Sequence, residues 1–173
     1  MKSNKQYSNV TISKRVDHDA GRHRGPRAPS EPAICSSCGA IYSDRRWTPA
    51  GTPKKNGKHK SWHPQRITLC PACKKKQEGL PAGFVYVSGG FLPLHRQEIE
   101  GLLDNEAERA AVDNPLAQIV GRETDETGRL VISTTTEHLA QRLGHALEKA
   151  FDGEVRYDFS HENKLARVYW HRD

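Results

Sequence analysis

All four cysteines of the chain fall into two Cys-x-x-Cys pairs, a residue type and spacing suited to binding a metal ion. The pairs are Cys35 with Cys38 and Cys70 with Cys73, and 31 residues lie between them. Two such pairs can converge on one tetrahedral Zn²⁺ at Zn–S distances of about 2.3 Å, and Gly39 relieves crowding after the first turn. We therefore predict a zinc ribbon over residues 34–78, with structural Zn²⁺ bound by all four cysteines.

Other uses of paired cysteines fit the sequence less well. A disulfide framework is typical of secreted proteins, but no apolar signal segment follows Met1. A thioredoxin-like redox motif requires a βαβ context, which neither pair has. A zinc deaminase requires a His-x-Glu or Cys-x-Glu element before its second pair, and none is present. Four thiolates also leave no open position for water, so we expect no catalysis by the metal.

The positive charge of the chain is concentrated in its first half. Residues 1–33 carry seven Lys/Arg and three Asp/Glu, and residues 34–79 carry ten Lys/Arg and two Asp/Glu. Residues 80–173 carry ten Lys/Arg and sixteen Asp/Glu. The net charge of +6 therefore combines a cationic front half with an anionic back half. Scattered charge could serve solubility alone, but clustering around a zinc ribbon favours a nucleic acid as the partner.

The zinc ribbon is preceded by residues 1–33, which we predict to be a flexible basic arm. Its basic residues are interleaved with glycine and proline, and it has few apolar side chains to stabilise an ordered state. The arm either folds onto RNA or is a dispensable tail. The sequence does not decide between these two interpretations.

Within the ribbon, a lysine-rich loop at 51–60 lies between Trp47 and Trp62. Such a loop has groups for phosphate contact and base stacking. For each tryptophan alone, packing in a small core beside the metal is the better interpretation. His59 and His63 could replace a thiolate, but four cysteines already fill the coordination shell. The predicted nucleic-acid-binding residues are Arg45, Arg46, Trp47, Lys54, Lys55, Lys58, Lys60, Trp62, Arg66, Lys74, Lys75 and Lys76.

Residues 79–115 are predicted to form a connector rich in glycine and proline, followed by a helix. The stretch 84–87 is a candidate short strand. Residues 94–111 have apolar side chains at helical spacing, including Ile99, Leu102, Leu103 and Ala110. The acidic residues of the helix, assigned to its outer face, are Glu98, Glu100, Asp104, Glu106 and Glu108.

Residues 116–173 are predicted to form a ββαββ module, which gives the whole chain an α+β fold. Strands at 116–123 and 129–134 flank a turn at 125–128. A capping box at 134–137 starts a helix that runs to about Ala150, and a second hairpin follows with strands 154–160 and 165–171. The helix should cross one face of a four-stranded sheet. The opposite face is either open or covered by the helix at 94–111.

The ββαββ module contains no convincing active site. His138 and His145 lie seven residues apart on the predicted helix, without a nearby Cys or Gly-rich turn. No phosphate-binding GxxxxGK[ST] or dinucleotide-binding GxGxxG motif occurs in the chain. No run of about 20 apolar residues could form a transmembrane helix. We therefore expect a protein that is not an enzyme.

The two cysteine pairs, the helical connector and the ββαββ module together resemble a small bacterial zinc-ribbon family of unsettled function. That family is similar to the amino-terminal region of the archaeal and eukaryotic large-ribosomal-subunit export adaptor. The resemblance covers roughly residues 34–173, is strongest at the four cysteines, and includes the stretches 119–123 and 135–140. The adaptor has further zinc knuckles and domains that this chain lacks. The resemblance therefore implies ribosome binding but not nuclear export.

These observations predict a cytoplasmic, non-enzymatic zinc-ribbon protein that binds RNA and associates with the ribosome. The acidic ββαββ module would face ribosomal proteins. One alternative is a protein–protein interaction adaptor, in which both modules dock proteins. Another is a transcription regulator whose ribbon binds duplex DNA.

Overall fold

The computed structural model describes residues 29, 32–51, 66–160 and 165–173. In these ranges the chain forms three α-helices and two β-sheets, which confirms the predicted α+β class. Nearly all of the predicted basic arm at 1–33 lies outside the described residues.

The first sheet positions the cysteines. Its strands are β1 Ala33–Cys35, β2 Ile41–Ser43, β3 Arg46–Thr48 and β4 Arg66–Thr68, in the order β3-β2-β1-β4. β1 and β2 are antiparallel, whereas β4 runs parallel to β1 and places Thr68 opposite Cys35. Helix α1, Pro71–Glu78, then ends at Gly79, which adopts the left-handed conformation with φ of 63°. We call residues 32–51 and 66–79 the cysteine module.

The second sheet and its helices form the rest of the described chain, which we call the sheet module. Its elements are β5 Gly83–Ser88, α2 Phe91–Asp113, β6 Ile119–Thr124, β7 Leu130–Thr134, α3 Glu137–Phe151, β8 Glu154–Ser160 and β9 Leu165–His171. The strand order is β6-β7-β5-β9-β8. β5 pairs antiparallel with β7 and parallel with β9, so it lies at the centre of the sheet.

Helices α2 and α3 pack on one face of this sheet and form the main core. Alternate residues of the three inner strands point to the helices because side chains along a strand alternate between faces. The buried core residues include Val85, Val87, Leu130, Ile132, Val168 and Trp170 from the sheet and Ile99, Leu103, Leu139, Leu143 and Leu147 from the helices. The Trp170 indole Nε1 donates to the Asp152 carbonyl at 2.7 Å, so the buried ring keeps a hydrogen-bond partner.

The sequence predicted four strands in this sheet, and that prediction is wrong because β5 is a fifth. β5 confirms the short strand predicted at 84–87, but the sequence analysis placed that strand in a connector rather than in the sheet. Gly83 in β5 and Gly89, which directly follows the strand, have no room for a side chain. A Cβ at Gly83 would lie 2.6 Å from Thr134 Oγ1 and 2.7 Å from the Ala140 Cβ, and Gly89 has φ of +109°.

Both predicted hairpins are confirmed. β6 and β7 are antiparallel and flank a turn in which the Asp125 carboxylate accepts hydrogen bonds from Thr127 and Arg129. β6 begins at Ile119 rather than at 116, since Leu116 lies in a turn where its N–H donates to Asn114 Oδ1 at 3.0 Å. β8 and β9 have the predicted bounds and pair antiparallel.

Helix α3 is confirmed, but its start differs from the predicted capping box. Thr136 is the N-cap, and its hydroxyl accepts the Leu139 N–H at 3.3 Å. Thr134 belongs to β7, where its hydroxyl donates to the Thr136 carbonyl at 2.9 Å. Because strand pairing keeps Thr134 extended, Glu137 occupies the first helical position and cannot serve as the carboxylate of a capping box.

Helix α2 is longer than the predicted 94–111 and includes one non-helical residue, His95, with φ of −117°. Its buried side chains are those of Leu92, Ile99, Leu103 and Ala110. Glu106, predicted on the outer acidic face, instead faces α3. Its Oε2 accepts a hydrogen bond from Arg142 Nε at 2.9 Å.

Candidate metal centre

The four cysteine thiols converge on one point. Their sulfur atoms all lie within 4.8 Å of one another, and the Cys38 and Cys70 sulfurs are 3.7 Å apart. A tetrahedral ion with metal–sulfur distances of about 2.3 Å places its sulfur ligands about 3.8 Å apart. All four thiols are free, and the Cys38–Cys70 distance far exceeds the ~2.05 Å of a disulfide bond. The cluster therefore has the donor atoms and spacing of a tetrahedral metal site.

The first pair lies in the tight connection between β1 and β2. The Cys35 N–H donates to the Ala40 carbonyl at 2.8 Å, and the Gly39 N–H donates to the Cys35 carbonyl at 3.0 Å. Gly39 has φ of +71°, which a residue with a side chain adopts only at a cost. These bonds turn the chain so that Cys35 and Cys38 present their sulfurs to the same point.

The second pair lies at the start of α1. Cys70 is the N-cap, Pro71 follows in the first turn, and Cys73 is buried in that turn. The Cys70 sulfur accepts the Cys73 N–H at 3.4 Å, and the Cys35 sulfur accepts the Cys70 N–H at 3.3 Å. The second pair thus lies at a helix N-terminus, where exposed N–H groups and the helix dipole favour negative charge.

The pKa is lowered for one thiol of the cluster and raised for two others. Burial raises the pKa of Cys35, but backbone N–H groups led by that of Cys38 outweigh it and lower the pKa to about 6. Burial raises the pKa of Cys38 and of Cys70, and the neighbouring sulfurs contribute to both shifts. Four thiolates this close would repel one another, and a bound cation would relieve that repulsion.

The three lysines after the second pair have different surroundings. Lys75 Nζ donates to the Thr135 carbonyl of the sheet module at 2.8 Å, and burial lowers its pKa. Lys74 Nζ lies 3.6 Å from a Glu78 carboxylate oxygen. Lys76 is exposed and borders a cleft of about 820 Å³ beside Cys38 and Cys73. The described contacts thus give Lys75 a structural role and leave Lys76 at the surface.

The predicted arginines lie on the exposed parts of the small sheet. Arg46 of β3 and Arg66 of β4 are both exposed, on strands at opposite edges of the sheet. Arg45 is exposed in the turn before β3, where its φ is +60°. Together with Lys76 they give the module positive charge on several sides.

Trp47 contributes to the small core beside the cysteines. Its ring lies 5.3 Å from the Tyr42 ring, and its side chain packs against the buried cluster of Cys35, Cys70 and Cys73 with Ala40 and Ala72. This placement is the packing role that the sequence analysis preferred for a single tryptophan. Seven further residues considered at this site lie outside the described residues: Lys54, Lys55, Lys58, His59, Lys60, Trp62 and His63.

Two residues beside the site come from the sheet module and were not expected from the sequence. Leu116 packs against the cysteine cluster, and Gln118 borders the 820 Å³ cleft with Leu69. Both lie more than 40 residues from the nearest cysteine in the chain. No local motif could indicate this contact, because it depends on how the modules pack.

Within the described ranges, the four cysteines are the one group of three or more metal-binding side chains found together. His145 Nδ1 instead lies 2.9 Å from the Tyr157 hydroxyl on the sheet module. No helix in the described part of the chain is long and apolar enough to cross a membrane. No family model, curated protein or solved structure matches the chain, so the resemblance to the bacterial zinc-ribbon family stays a prediction.

Proposed function

We propose that the protein is a non-enzymatic, zinc-stabilised RNA-binding protein that associates with the ribosome. The observation that supports it most is the closed four-thiol cluster inside a strongly cationic module. Sulfur donors in tetrahedral arrangement favour Zn²⁺ over the oxygen-seeking ions Mg²⁺ and Ca²⁺. Four thiolate ligands leave no site for substrate or water, so the metal would hold the fold together.

Charge supports RNA as the partner of the cysteine module. Residues 32–51 and 66–79 carry six basic and two acidic residues, the segment 52–65 between them adds four lysines, and Zn²⁺ with four thiolates would subtract about two charges. The module therefore stays cationic when metal is bound. Arg46, Arg66 and Lys76 are the exposed groups best placed to contact phosphates. The ribosome is proposed as the source of that RNA because of the family resemblance.

A protein-interaction adaptor is the second candidate. Helix α2 exposes two apolar side chains, Leu94 at 84% and Val112 at 73%, along with acidic residues such as Glu98 and Glu108. Leu94 lies near the start of α2 and Val112 near its end, so each would make a separate small contact with a protein partner. A protein partner would bind here regardless of the charges on the cysteine module.

The proposal is tested first by metal content. Elemental analysis of purified protein should give one zinc per chain, and Cys73→Ser should lose it, whereas Ser37→Ala in the turn between Cys35 and Cys38 should keep it. A wild-type protein without zinc would contradict the proposal.

RNA binding is tested next by comparing ribosomal RNA, duplex DNA and ribosomes at the same salt concentrations. Binding to RNA should weaken steeply with salt, since phosphate contacts release counterions. Arg46→Glu, Arg66→Glu and Lys76→Glu combined should weaken it, whereas Lys149→Glu on α3 should not. Salt-independent binding, stronger binding to duplex DNA, or protein that stays apart from ribosomes on a sucrose gradient would contradict the proposal.

A further inference from the structure

The face of the five-stranded sheet opposite the helices carries a row of aromatic rings. Strand register places Tyr86 of β5 opposite Tyr169 of β9, and Phe84 lies two residues before Tyr86 on the same face. The Tyr86 and Tyr169 rings are stacked, with centroids 4.9 Å apart and planes 10° apart. The Phe84 ring lies 6.1 Å from Tyr86. All three side chains remain partly exposed.

Arginines lie at both ends of this row. The Arg129 guanidinium lies 5.5 Å from the centre of the Tyr86 ring, and the Arg156 guanidinium lies 4.6 Å from the centre of the Tyr169 ring. Arg167 is paired with Phe84 across β5 and β9. The stacked Tyr86 and Tyr169 rings thus lie between two guanidinium groups, and aromatic and guanidinium groups are the planar side chains on which unpaired bases stack.

We infer that this face binds single-stranded RNA through its bases, with Phe84, Tyr86 and Tyr169 as the stacking platform. At Tyr169, a base would displace the exposed Arg156 guanidinium from the outer ring face, because base–aromatic stacking is stronger than an exposed cation–π contact. Arg156 would then be free to pair with a phosphate, whereas Arg129 is held by an ion pair with Asp125 at 2.8 Å. The inference rests on the proposed function for the class of ligand, but it assigns a second surface that reads unpaired bases.

The charges of this face distinguish it from the cysteine module. Four carboxylates offset the three arginines, so the face has no excess positive charge: they are Glu123, Glu154 and Asp158 on the outer strands β6 and β8, and Asp125, which is ion-paired with Arg129. A stacking surface without excess positive charge contributes little counterion release. Binding to it should therefore depend on salt much less than binding to the cysteine module.

The position of the face also allows one RNA strand to reach both surfaces. A groove of about 370 Å³ runs beside Phe84, Gly121 and Ser133 and is bordered at its other side by Gly79 and Pro81. Gly79 directly follows α1, the helix that carries the exposed Lys76. A strand that stacks on Phe84 can leave along this groove toward the cysteine module.

The test compares binding of a 12-nucleotide oligouridylate and a blunt 12-base-pair RNA duplex to zinc-loaded full-length protein. Tyr86→Leu with Tyr169→Leu should weaken oligouridylate binding about tenfold, without a change in its salt dependence or in duplex binding. Tyr86→Phe with Tyr169→Phe keeps the rings and should restore binding. Phe159→Leu is the matched control, because Phe159 is an exposed aromatic residue, 43% accessible, whose strand partner Ala166 belongs to the helix-side core.

Crosslinking of wild-type protein to 4-thiouridine RNA keeps the test decisive if the leucine variant misfolds. Crosslinks in peptides that contain β5 or β9 would support the inference, and crosslinks confined to the cysteine module would overturn it. Unchanged oligouridylate affinity in a folded leucine variant, or self-association through this face without RNA binding, would also overturn it.

If the wild type binds duplex alone, the proposed function survives and the inference fails. If the glutamate variants of the cysteine module bind both RNAs normally while the leucine variant loses oligouridylate, the cysteine-module proposal fails and the inference stands.

Discussion

Glu106 connects the two long helices through its carboxylate. Its Oε1 accepts a hydrogen bond from Arg109 on the same helix at 2.7 Å, and its Oε2 accepts one from Arg142 on α3 at 2.9 Å. The Arg142 hydrogen bond holds the pKa of Glu106 below its usual range, with the Arg109 bond adding to the effect and burial opposing it. The charged form of Glu106 is thus favoured by folding.

Glu106→Gln should lower the free energy of unfolding at pH 7 by about 1 kcal/mol, the scale of a partly exposed charge-assisted hydrogen bond. Because the folded-state pKa is depressed, this stability is present above the unfolded value of about 4.3 and is lost as the pH falls through the folded value. The difference between the variant and the wild type should therefore shrink below about pH 4. Urea unfolding at several pH values measures it.

Glu108→Gln is the control for that experiment, since Glu108 is an exposed carboxylate on the same helix. Release of metal at low pH affects all three proteins equally and cancels in the comparison. A Glu106→Gln difference that stays constant from pH 7 to pH 3 would show that the carboxylate charge contributes nothing to folding.

At the scale of single residues, the sequence predicts the sulfur cluster but not the role of each lysine. Two Cys-x-x-Cys pairs indicate a site because each pair is a local motif and metal chemistry requires the two to meet. Lys74, Lys75 and Lys76 are indistinguishable in sequence. Only the packing of α1 against Thr135 turns Lys75 toward the sheet module and leaves Lys76 at the surface.

At the scale of elements, Gly83 tests whether the segment before α2 is a linker or the centre of a sheet. Gly83→Ala should lower the free energy of unfolding by about 1–3 kcal/mol, since the added Cβ would meet Thr134 Oγ1 at 2.6 Å and the Ala140 Cβ at 2.7 Å. Thermal and urea unfolding of the purified variant measure the change. A linker glycine would tolerate the same substitution.

Gly101→Ala is the matched control, because it adds the same methyl group where nothing lies within 4 Å. Gly101 lies inside α2, so alanine should raise stability by up to about 1 kcal/mol through its higher helix propensity. Equal effects of the two substitutions would contradict the central position of β5.

The elements that the sequence predicts well are those defined by neighbouring residues. Apolar and polar side chains alternate along β8 and β9, and α3 has a regular apolar stripe that includes Leu139, Leu143 and Leu147. β5 differs, because its partners Leu130–Thr134 and Leu165–His171 follow it by more than 40 residues. Its glycine and proline neighbours look like a linker until those partners are in place.

At the scale of the whole molecule, the two modules have separate cores of unequal size. The sheet module buries a large apolar cluster that includes Trp170, Ile99 and Leu103. In the described part of the cysteine module, the buried hydrophobic residues are few and mostly small: Ala33, Cys35, Ala40, Tyr42, Cys70, Ala72 and Cys73. A core this small supplies little hydrophobic stabilisation, so its folding should depend on the metal. The Lys75–Thr135 hydrogen bond and Leu116 join the two modules.

Removal of the metal with a strong chelator at neutral pH should unfold the cysteine module and leave the sheet module folded. Hydrogen exchange followed by mass spectrometry should show lost protection in peptides covering 33–48 and 66–78. Peptides covering β5, β7 and β9 should stay protected, because their side chains are buried in a core that contains no metal ligand. The end of β7, which receives the Lys75 bond, should lose protection moderately.

Lys75→Met is the variant that separates metal dependence from contact between the modules. It keeps most of the apolar stem of the side chain but removes the ammonium group that donates to Thr135, so it should loosen the end of β7 while zinc remains bound. Chelation of this variant should then expose the same cysteine-module peptides as in the wild type. Loss of protection across β5 and β9 on chelation of the wild type would mean that the metal stabilises one cooperative unit, and that the division into two cores has no energetic consequence.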